Sequence, residues 1–128
     1  MADPEAANPA GPQRVAIVDD DVRIRTLLRL ELEDLGAQVA CFSSAEEALG
    51  ELAAGGPDLV LLDVGLGGMD GLTCLGLLRQ QGLRARVVLM SAHWDPGGAE
   101  GFQAAGADAF VLKTALPALL EEWMGQAR

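Results

Sequence analysis

The chain has 128 residues, half of them hydrophobic, and its 19 acidic and nine basic side chains give a formal net charge of −10 at pH 7. This length is typical of one domain, and the apolar fraction is large enough for a buried core. The basic residues are scattered, so the chain is not expected to bind nucleic acid directly, because neutralising phosphates requires clustered Lys and Arg.

Membrane and export signals are absent from the sequence. No apolar stretch reaches the roughly 20 residues that a membrane helix needs, and the N-terminus lacks a basic region followed by an apolar core. We therefore expect a soluble, cytoplasmic protein with no membrane partner. Cys41 and Cys74 lie in apolar settings without a Cys-x-x-Cys spacing, which favours buried structural thiols over a disulfide.

The first predicted elements are a strand, a helix and a second strand. The apolar run 15–18 is typical of a buried strand and leads into three acids, the last of which, Asp21, is expected to cap a helix. Apolar residues then recur at helical spacing, including Leu27, which is expected in the core, and Gly36 ends the helix. Residues 39–42 predict the second strand.

The middle of the chain repeats this alternation. Ser44 to Glu47 has the form of a capping box and predicts a helix that reaches about Ala54. The apolar run 59–62 predicts a buried strand that Asp63 closes, and Asp70 is expected to cap the helix after it.

The last third predicts two more strands and two more helices. Residues 86–90 form the fourth predicted strand, and Asp95-Pro96 begins a fourth helix that the following Gly97-Gly98 pair should weaken. Residues 109–112 form the fifth strand, and Thr114 is expected to cap a last helix.

Strands that alternate with helices predict a single α/β domain. Right-handed crossovers place five strands in one parallel sheet with helices on both faces. This domain is expected over residues 14–128, because residues 1–13 contain three prolines and no apolar periodicity, which predicts a flexible tail.

Polar side chains follow four of the predicted strands. Asp19 and Asp20 follow the first strand, Asp63 the third, Ser91 the fourth and Lys113 the fifth. The carboxyl ends of parallel strands form the ligand-binding edge of an open sheet. Crowded carboxylates raise one another's pKa values unless a cation shares the site, and an all-oxygen set favours Mg²⁺, with Mn²⁺ as an alternative. A carboxylate there can also accept a phosphoryl group if positive charge and a hydrogen-bond donor are near.

Four sequence blocks at these strand ends resemble the receiver domain of bacterial two-component response regulators, over about Arg14 to Arg128. The blocks are Val18-Asp19-Asp20, the loop from Asp63 to Gly71, Met90-Ser91-Ala92, and the segment from Ala105 to Lys113. Each block is weak alone, but four in the right order form a specific match. The resemblance implies a stand-alone receiver domain with the doubly wound, flavodoxin-like (βα)5 fold.

The resemblance implies a Mg²⁺ site in this acidic pocket. Asp20 and Asp63 are expected to bind the ion through their carboxylates, and Asp19 is expected to hold metal-bound water. The backbone carbonyl of Gly65 would complete the protein's share of the metal shell.

The resemblance also implies how a phosphoryl group is taken up and sensed. Asp63 is the expected phosphoacceptor, with Ser91 binding a phosphoryl oxygen. Lys113 is expected to pair with Asp63 before phosphorylation and with the phosphoryl group afterwards. Phe110 resembles the family's switch aromatic, whose rotamer follows the Ser91 hydroxyl, and without a phenolic oxygen its signal must be steric.

Two positions depart from the family's pattern. The family usually has Pro where this chain has Gly67, and again after the lysine, where this chain has Thr114. The second Pro commonly follows a cis peptide, and a non-proline cis bond costs roughly 2.5 to 4 kcal/mol. The Lys113–Thr114 bond is therefore either trans or strained.

The chain is thus expected to be a phosphorylation-dependent signalling switch rather than an enzyme. Its donor would be a phosphohistidine on a histidine kinase or phosphotransfer protein, and its output a changed surface made by the fourth helix, fifth strand and fifth helix, where a downstream protein docks. A monomer or weak dimer is expected. The alternatives are a docking module that uses no phosphorylation and, from a different class, an aspartyl-phosphate phosphatase or phosphotransferase, although Asp19 to Arg23 lacks the Asp-x-Asp-x-Thr of the haloacid-dehalogenase type.

Overall fold

The fold is a five-stranded parallel sheet with helices on both faces, as the sequence predicts. The computed structural model describes residues 13–52, 56–93 and 101–126. The predicted tail, apart from Gln13, and the predicted start of the fourth helix at Asp95 lie outside these residues. The strands are β1 (Arg14–Val18), β2 (Gln38–Phe42), β3 (Leu59–Asp63), β4 (Arg86–Ser91) and β5 (Ala109–Leu112). Their order across the sheet is β2-β1-β3-β4-β5, with every pair parallel.

A helix follows each strand along the chain. They are α1 (Val22–Asp34), α2 (Ala45–Leu52), α3 (Gly71–Gln80), α4, described over residues 101–104, and α5 (Leu116–Gln126), which follows a 3₁₀ turn at Lys113–Ala115. Within the described ranges, no helix is long and apolar enough to cross a membrane.

Side chains at the helix starts confirm three of the predicted caps. The Asp21 carboxylate accepts a hydrogen bond from the Arg23 N–H at 2.8 Å, and Asp70 accepts one from the Thr73 N–H at 2.8 Å. The Glu47 N–H donates to the Ser44 hydroxyl at 3.1 Å. The return bond of this capping box reaches one residue further back, since the Glu47 carboxylate accepts from the N–H of the preceding Ser43.

The core consists of two apolar layers, one on each face of the sheet. Alternate residues of the central strands point to opposite faces, so Val60 and Leu62 pack with α2 and α3 while Leu61 packs with α1 and α5. The central strand β3 is buried along its whole length. This burial on both faces is the reason that β3 is a continuous apolar run rather than an alternating one.

Two local predictions are wrong. Thr114 does not cap the last helix, because it lies inside the 3₁₀ turn and α5 begins only at Leu116. Leu27 is not in the core, since its side chain is 49% exposed. Leu28 and Leu32 are the residues of α1 that face the sheet, and at about 100° per residue Leu27 lies roughly 140° around the helix from Leu32.

Both cysteines are free thiols, as the sequence predicts, but only Cys74 is buried as predicted. Cys74 on α3 is fully buried, and burial raises the pKa of its thiol to about 11. Cys41 on β2 is half-buried. The Cys74 thiol therefore stays protonated and acts as a small apolar side chain.

Candidate functional site

The carboxyl ends of β1 and β3 bring three acids together. Each of Asp19, Asp20 and Asp63 offers a carboxylate oxygen, and these oxygens all lie within 4.8 Å of one another. Asp19 and Asp63 are buried, whereas Asp20 is exposed at the mouth of the pocket. The close approach arises because β1 and β3 are neighbours in the sheet, with Val18 in register with Leu62.

Asp19 is the most enclosed of the three acids, with no solvent exposure. Its Oδ1 accepts a hydrogen bond from the Asp21 N–H at 2.8 Å, which ties the carboxylate to the start of α1. Its Oδ2 lies 2.8 Å from the Lys113 ammonium, an ion-pair contact. The Asp19 backbone carbonyl accepts from the Arg25 guanidinium at 2.7 Å.

Asp63 is anchored by the loop that follows it. The Gly65 N–H donates to Asp63 Oδ1 at 3.1 Å, and the Lys113 ammonium lies 3.3 Å from Oδ2. Burial raises the pKa of the Asp63 carboxyl, the negative charge of Asp19 adds to the rise, and the Gly65 N–H and Lys113 only partly offset it. Asp63 is therefore a more basic carboxylate than an exposed aspartate.

Lys113 lies between the two buried carboxylates, with its side chain 17% exposed. Burial lowers the pKa of this ammonium, but the ion pairs with Asp19 and Asp63 outweigh burial and raise it. The lysine therefore remains charged and supplies fixed positive charge beside Asp63. The described residues contain no cis peptide bond, so Lys113–Thr114 is trans and the aim of Lys113 does not depend on the missing Pro.

Close backbone packing below the pocket explains one glycine of the loop. A Cβ atom on Gly71, the first residue of α3, would overlap the Asp63 carbonyl oxygen and the Val64 Cα. The Gly71 N–H also donates to the Val64 carbonyl at 3.2 Å. Only glycine lets α3 start this close to the strand that carries Asp63.

Ser91 lies at the predicted strand end, but its hydroxyl is engaged elsewhere. The Ser91 Oγ donates to the His93 carbonyl at 2.9 Å and accepts from the His93 N–H at 3.1 Å. Serine side chains commonly close such local turns on their own backbone. The hydroxyl thus stabilises the turn after β4 rather than reaching towards Asp63.

Phe110 lies half-buried on β5 and stacks on Phe102 of α4. The ring centroids are 4.3 Å apart and the rings are inclined by 28°. Phe102 is itself buried, at 6% exposure. A change of rotamer at Phe110 would disturb this stack, so the contact joins β5 mechanically to α4.

Asp20 has a partner that the sequence did not predict. The Gly67 N–H donates to Asp20 Oδ2 at 3.3 Å, across 47 positions of the chain. The contact of Phe102 with Phe110 was also missed. Phe102 could have been found as the lone aromatic residue of the segment 101–106. No sequence signal indicates which loop N–H faces Asp20.

The donor set fits a hard divalent cation. Three carboxylates face one ammonium, so the cluster keeps an excess of negative charge that a cation would neutralise. All available ligand atoms are oxygens, which suits Mg²⁺ or Mn²⁺ rather than a soft metal. Gly65 lies in the turn directly after β3, beside these carboxylates.

Comparison with known proteins agrees with this geometry. The family described as the response regulator receiver domain matches residues 15–124. The transcriptional regulatory protein KdpE of Mycobacterium tuberculosis is 37% identical over 114 residues, which are 89% of this chain and 49% of KdpE. The DNA-binding transcriptional regulator NtrC of Salmonella typhimurium is 35% identical over 99 residues, which are 77% of this chain and 21% of NtrC. The chain thus spans half or less of these relatives.

Solved structures show the same fold. A CheY-like receiver domain protein from Methanospirillum hungatei superposes with a TM-score of 0.82 at 26% identity, covering 91% of this chain and 94% of that one. The receiver domain of a putative NarL from Mycobacterium tuberculosis superposes with a TM-score of 0.80 at 29% identity, covering 91% and 97%.

Proposed function

This chain belongs to the response regulator receiver domain family, and from that premise we propose that it accepts a phosphoryl group on Asp63 and thereby switches its surface. One observation carries the proposal: Asp63 is buried at the strand end, with the Lys113 ammonium 3.3 Å from its Oδ2 and two further carboxylates beside it. This arrangement places a basic carboxylate, positive charge and a candidate cation site at one point.

The proposed reaction transfers the phosphoryl group from a phosphohistidine. An Asp63 oxygen forms the new O–P bond while the N–P bond of the donor breaks, and the electron pair of that bond stays on the imidazole nitrogen. Lys113 offsets the charge of the transferred group. Asp19, Asp20, Asp63 and the Gly65 carbonyl would hold Mg²⁺, which when bound would neutralise further negative charge on the phosphoryl oxygens.

Ser91 is proposed to move during this reaction. Its hydroxyl would leave the His93 carbonyl and donate to a phosphoryl oxygen, because a doubly charged group is a stronger acceptor than a neutral carbonyl. The space vacated beside β5 would let Phe110 change position, and Phe102 would pass that change to α4. The output surface is therefore proposed to be the α4-β5-α5 face, which we define as residues 101–104, 109–112 and 116–126.

The donor is proposed to be a histidine kinase or phosphotransfer protein that docks along α1. This helix begins directly after the acidic segment, so a protein that reaches Asp63 would also cover it. Val22, Leu27 and Leu30 of α1 are 60%, 49% and 61% exposed. Such exposed large apolar side chains suit a protein–protein contact more than a free surface.

The direct test is covalent labelling by acetyl phosphate. With Mg²⁺ present, intact-protein mass spectrometry should show one added phosphoryl group, and Asp63→Asn should show none. Asp21→Asn is the matched control, since it removes a neighbouring carboxylate while Asn still caps α1; it should label like the wild type. Equal labelling of Asp63→Asn would overturn the assignment.

The same samples separate the two alternatives. A docking module without phosphorylation would take up no phosphoryl group under any metal condition. A phosphatase would release many equivalents of p-nitrophenol from p-nitrophenyl phosphate, whereas the proposed phosphoacceptor releases none beyond background.

A further inference from the structure

We infer that the Gly67 N–H is a positioning group for the metal-binding carboxylate of Asp20, a role that rests on the proposed Mg²⁺ site. The bond from Gly67 to Asp20 Oδ2 joins the loop after β3 to the end of β1. The proline usual in this family at that position has no N–H and could not make it. This chain therefore has a hydrogen bond in its acidic pocket that a receiver domain with proline at this position cannot form.

Asp20 is the member of the acidic cluster that most needs such a contact. Asp19 and Asp63 are fixed by burial and by the Lys113 ion pairs, but Asp20 is exposed. An exposed carboxylate that is free to rotate loses side-chain freedom when it binds an ion. The Gly67 N–H restricts that rotation before the ion arrives.

The bond does not block ion binding. A carboxylate has two oxygens and about four acceptor positions, and the N–H occupies one position on Oδ2. The remaining positions on Oδ2 and all of those on Oδ1 are left for a cation. An N–H that orients a ligand in this way usually strengthens metal binding.

The same bond steadies the loop that carries a second proposed ligand. Residues 65–68 contain three glycines, so this loop has few intrinsic conformational restraints. Gly65, whose carbonyl is proposed to bind the ion, lies two residues before Gly67. Tying Gly67 to Asp20 therefore holds both ligands at a fixed separation.

The site accepts two informative substitutions. Gly67 does not adopt a positive φ, and a Cβ there would lie 3.7 Å from Asp20 Oδ2, an ordinary van der Waals contact. Gly67→Ala therefore keeps the N–H with little steric change, while Gly67→Pro removes it. Comparing Gly67→Pro with Gly67→Ala separates the effect of losing the hydrogen bond from the effect of losing glycine.

The experiment measures Mg²⁺ affinity by isothermal titration in the full chain. Gly67→Pro should bind Mg²⁺ about tenfold more weakly than Gly67→Ala, in line with the loss of an outer-shell partner. In an Asp20→Ala background, which has no carboxylate to position, Ala and Pro at residue 67 should bind Mg²⁺ within about twofold of each other. A merely structural effect of proline would persist in that background.

Two outcomes would overturn the inference and leave the proposed function intact. If Gly67→Pro binds Mg²⁺ as tightly as Gly67→Ala while the wild type still labels at Asp63 with Mg²⁺, the inference alone fails. Equal weakening by proline with and without Asp20 would also reject it. If the wild type neither binds Mg²⁺ nor labels at Asp63, the proposed function fails together with it.

Discussion

Lys113 and Ser91, the two side chains proposed to contact the phosphoryl group on Asp63, differ in their present contacts. The Lys113 ammonium already lies 2.8 Å from Asp19 and 3.3 Å from Asp63. The Ser91 hydroxyl is bonded to the backbone of His93, at 2.9 and 3.1 Å. The contacts of Lys113 with the acidic pocket are therefore formed before phosphorylation, whereas the Ser91 hydroxyl does not yet face the pocket.

This difference follows from the free energy that folding loses when each group is left without a partner. Asp19 is completely buried, and a buried charge without a partner destabilises a fold strongly, so Lys113 must stay in place. A serine hydroxyl is neutral and can form hydrogen bonds with the backbone of its own loop. Lys113 therefore stabilises the fold and also supplies charge for the reaction. Ser91 can exchange its hydrogen bonds without leaving a buried charge unpaired, so it is the residue proposed to move.

The largest effect expected is on the free energy of unfolding of Lys113→Met. This change leaves Asp19 buried without its counter-ion, and breaking a buried pair from one side typically costs about 3 kcal/mol or more. Urea unfolding measures it. Arg23→Met is the control, because its ion pair with Asp21 is exposed to solvent, so the loss of stability should be far smaller than for Lys113→Met.

A double variant sharpens the same point. Lys113→Met combined with Asp19→Asn should recover much of the loss, since no buried charge is then left unpaired. Wild-type stability of the single Lys113 variant would show that the ion pair does not hold the pocket.

The second effect is on metal affinity. Asp20→Asn removes a charged oxygen ligand, so Mg²⁺ should bind at least about tenfold more weakly in a calorimetric titration. The metal-free variant should melt slightly higher than wild type, because the substitution relieves repulsion among three carboxylates. Asp21→Asn should leave the Mg²⁺ affinity unchanged. Unchanged Mg²⁺ affinity of Asp20→Asn would exclude Asp20 as a ligand.

The third effect is a pH-dependent gain in stability for Asp63→Asn. Burial raises the pKa of Asp63 in the folded state, so the ionised carboxylate opposes folding. The cost grows as the pH rises from the ordinary aspartate range through the raised pKa. The variant should therefore be more stable than the wild type at pH 7.

Thermal melts from pH 4 to pH 8 without metal check this expectation. The difference between variant and wild type should shrink towards the acidic end. A gain that is constant across this range would mean that the Asp63 charge is not its source.

The smallest effect is expected at Ser91. Ser91→Ala loses two hydrogen bonds at a half-buried turn, where water can replace them, so stability should fall by under about 1 kcal/mol. Ser44→Ala, which loses a helix cap, gives a reference of about 1 kcal/mol on the same scale. If Ser91→Ala lost as much stability as Lys113→Met, Ser91 and Lys113 would not differ in how much they stabilise the fold.

Much of this molecule could be predicted from its sequence, and the reasons are physical. Apolar runs that end in acids place Asp19, Asp20 and Asp63 at one sheet edge, since parallel strands end on the same side. The five strands and the caps at Asp21 and Asp70 follow from apolar periodicity and side-chain preference. The roles of these acids in phosphorylation stay predictions.

The features that could not be predicted depend on three-dimensional detail. The orientation of Ser91 depends on a nearby loop carbonyl, and the partner of Asp20 is a backbone N–H 47 positions away. Helical spacing predicts that Leu27 lies in the core. How many residues around α1 are buried, however, depends on how the helix packs against the sheet. Thr114 was predicted as a cap because nothing in its neighbours indicates a 3₁₀ turn first.

Phosphorylation is proposed to draw the Ser91 hydroxyl away from its loop while Lys113 stays in place, and this change is proposed to spread to the α4-β5-α5 face. Amide hydrogen exchange of the Mg²⁺ form, with and without beryllofluoride, tests it most directly. The BeF₃⁻ group on Asp63 stands in for the phosphoryl group.

The predicted result has two parts. The His93 amide, which now donates to the Ser91 Oγ, should exchange faster, and the α4-β5-α5 face should change more than α1 and α2. In Ser91→Ala, beryllofluoride should leave the α4-β5-α5 face largely unchanged. Exchange that changes only around Asp63, or mainly on α1 and α2, with His93 unaffected, would contradict the claim.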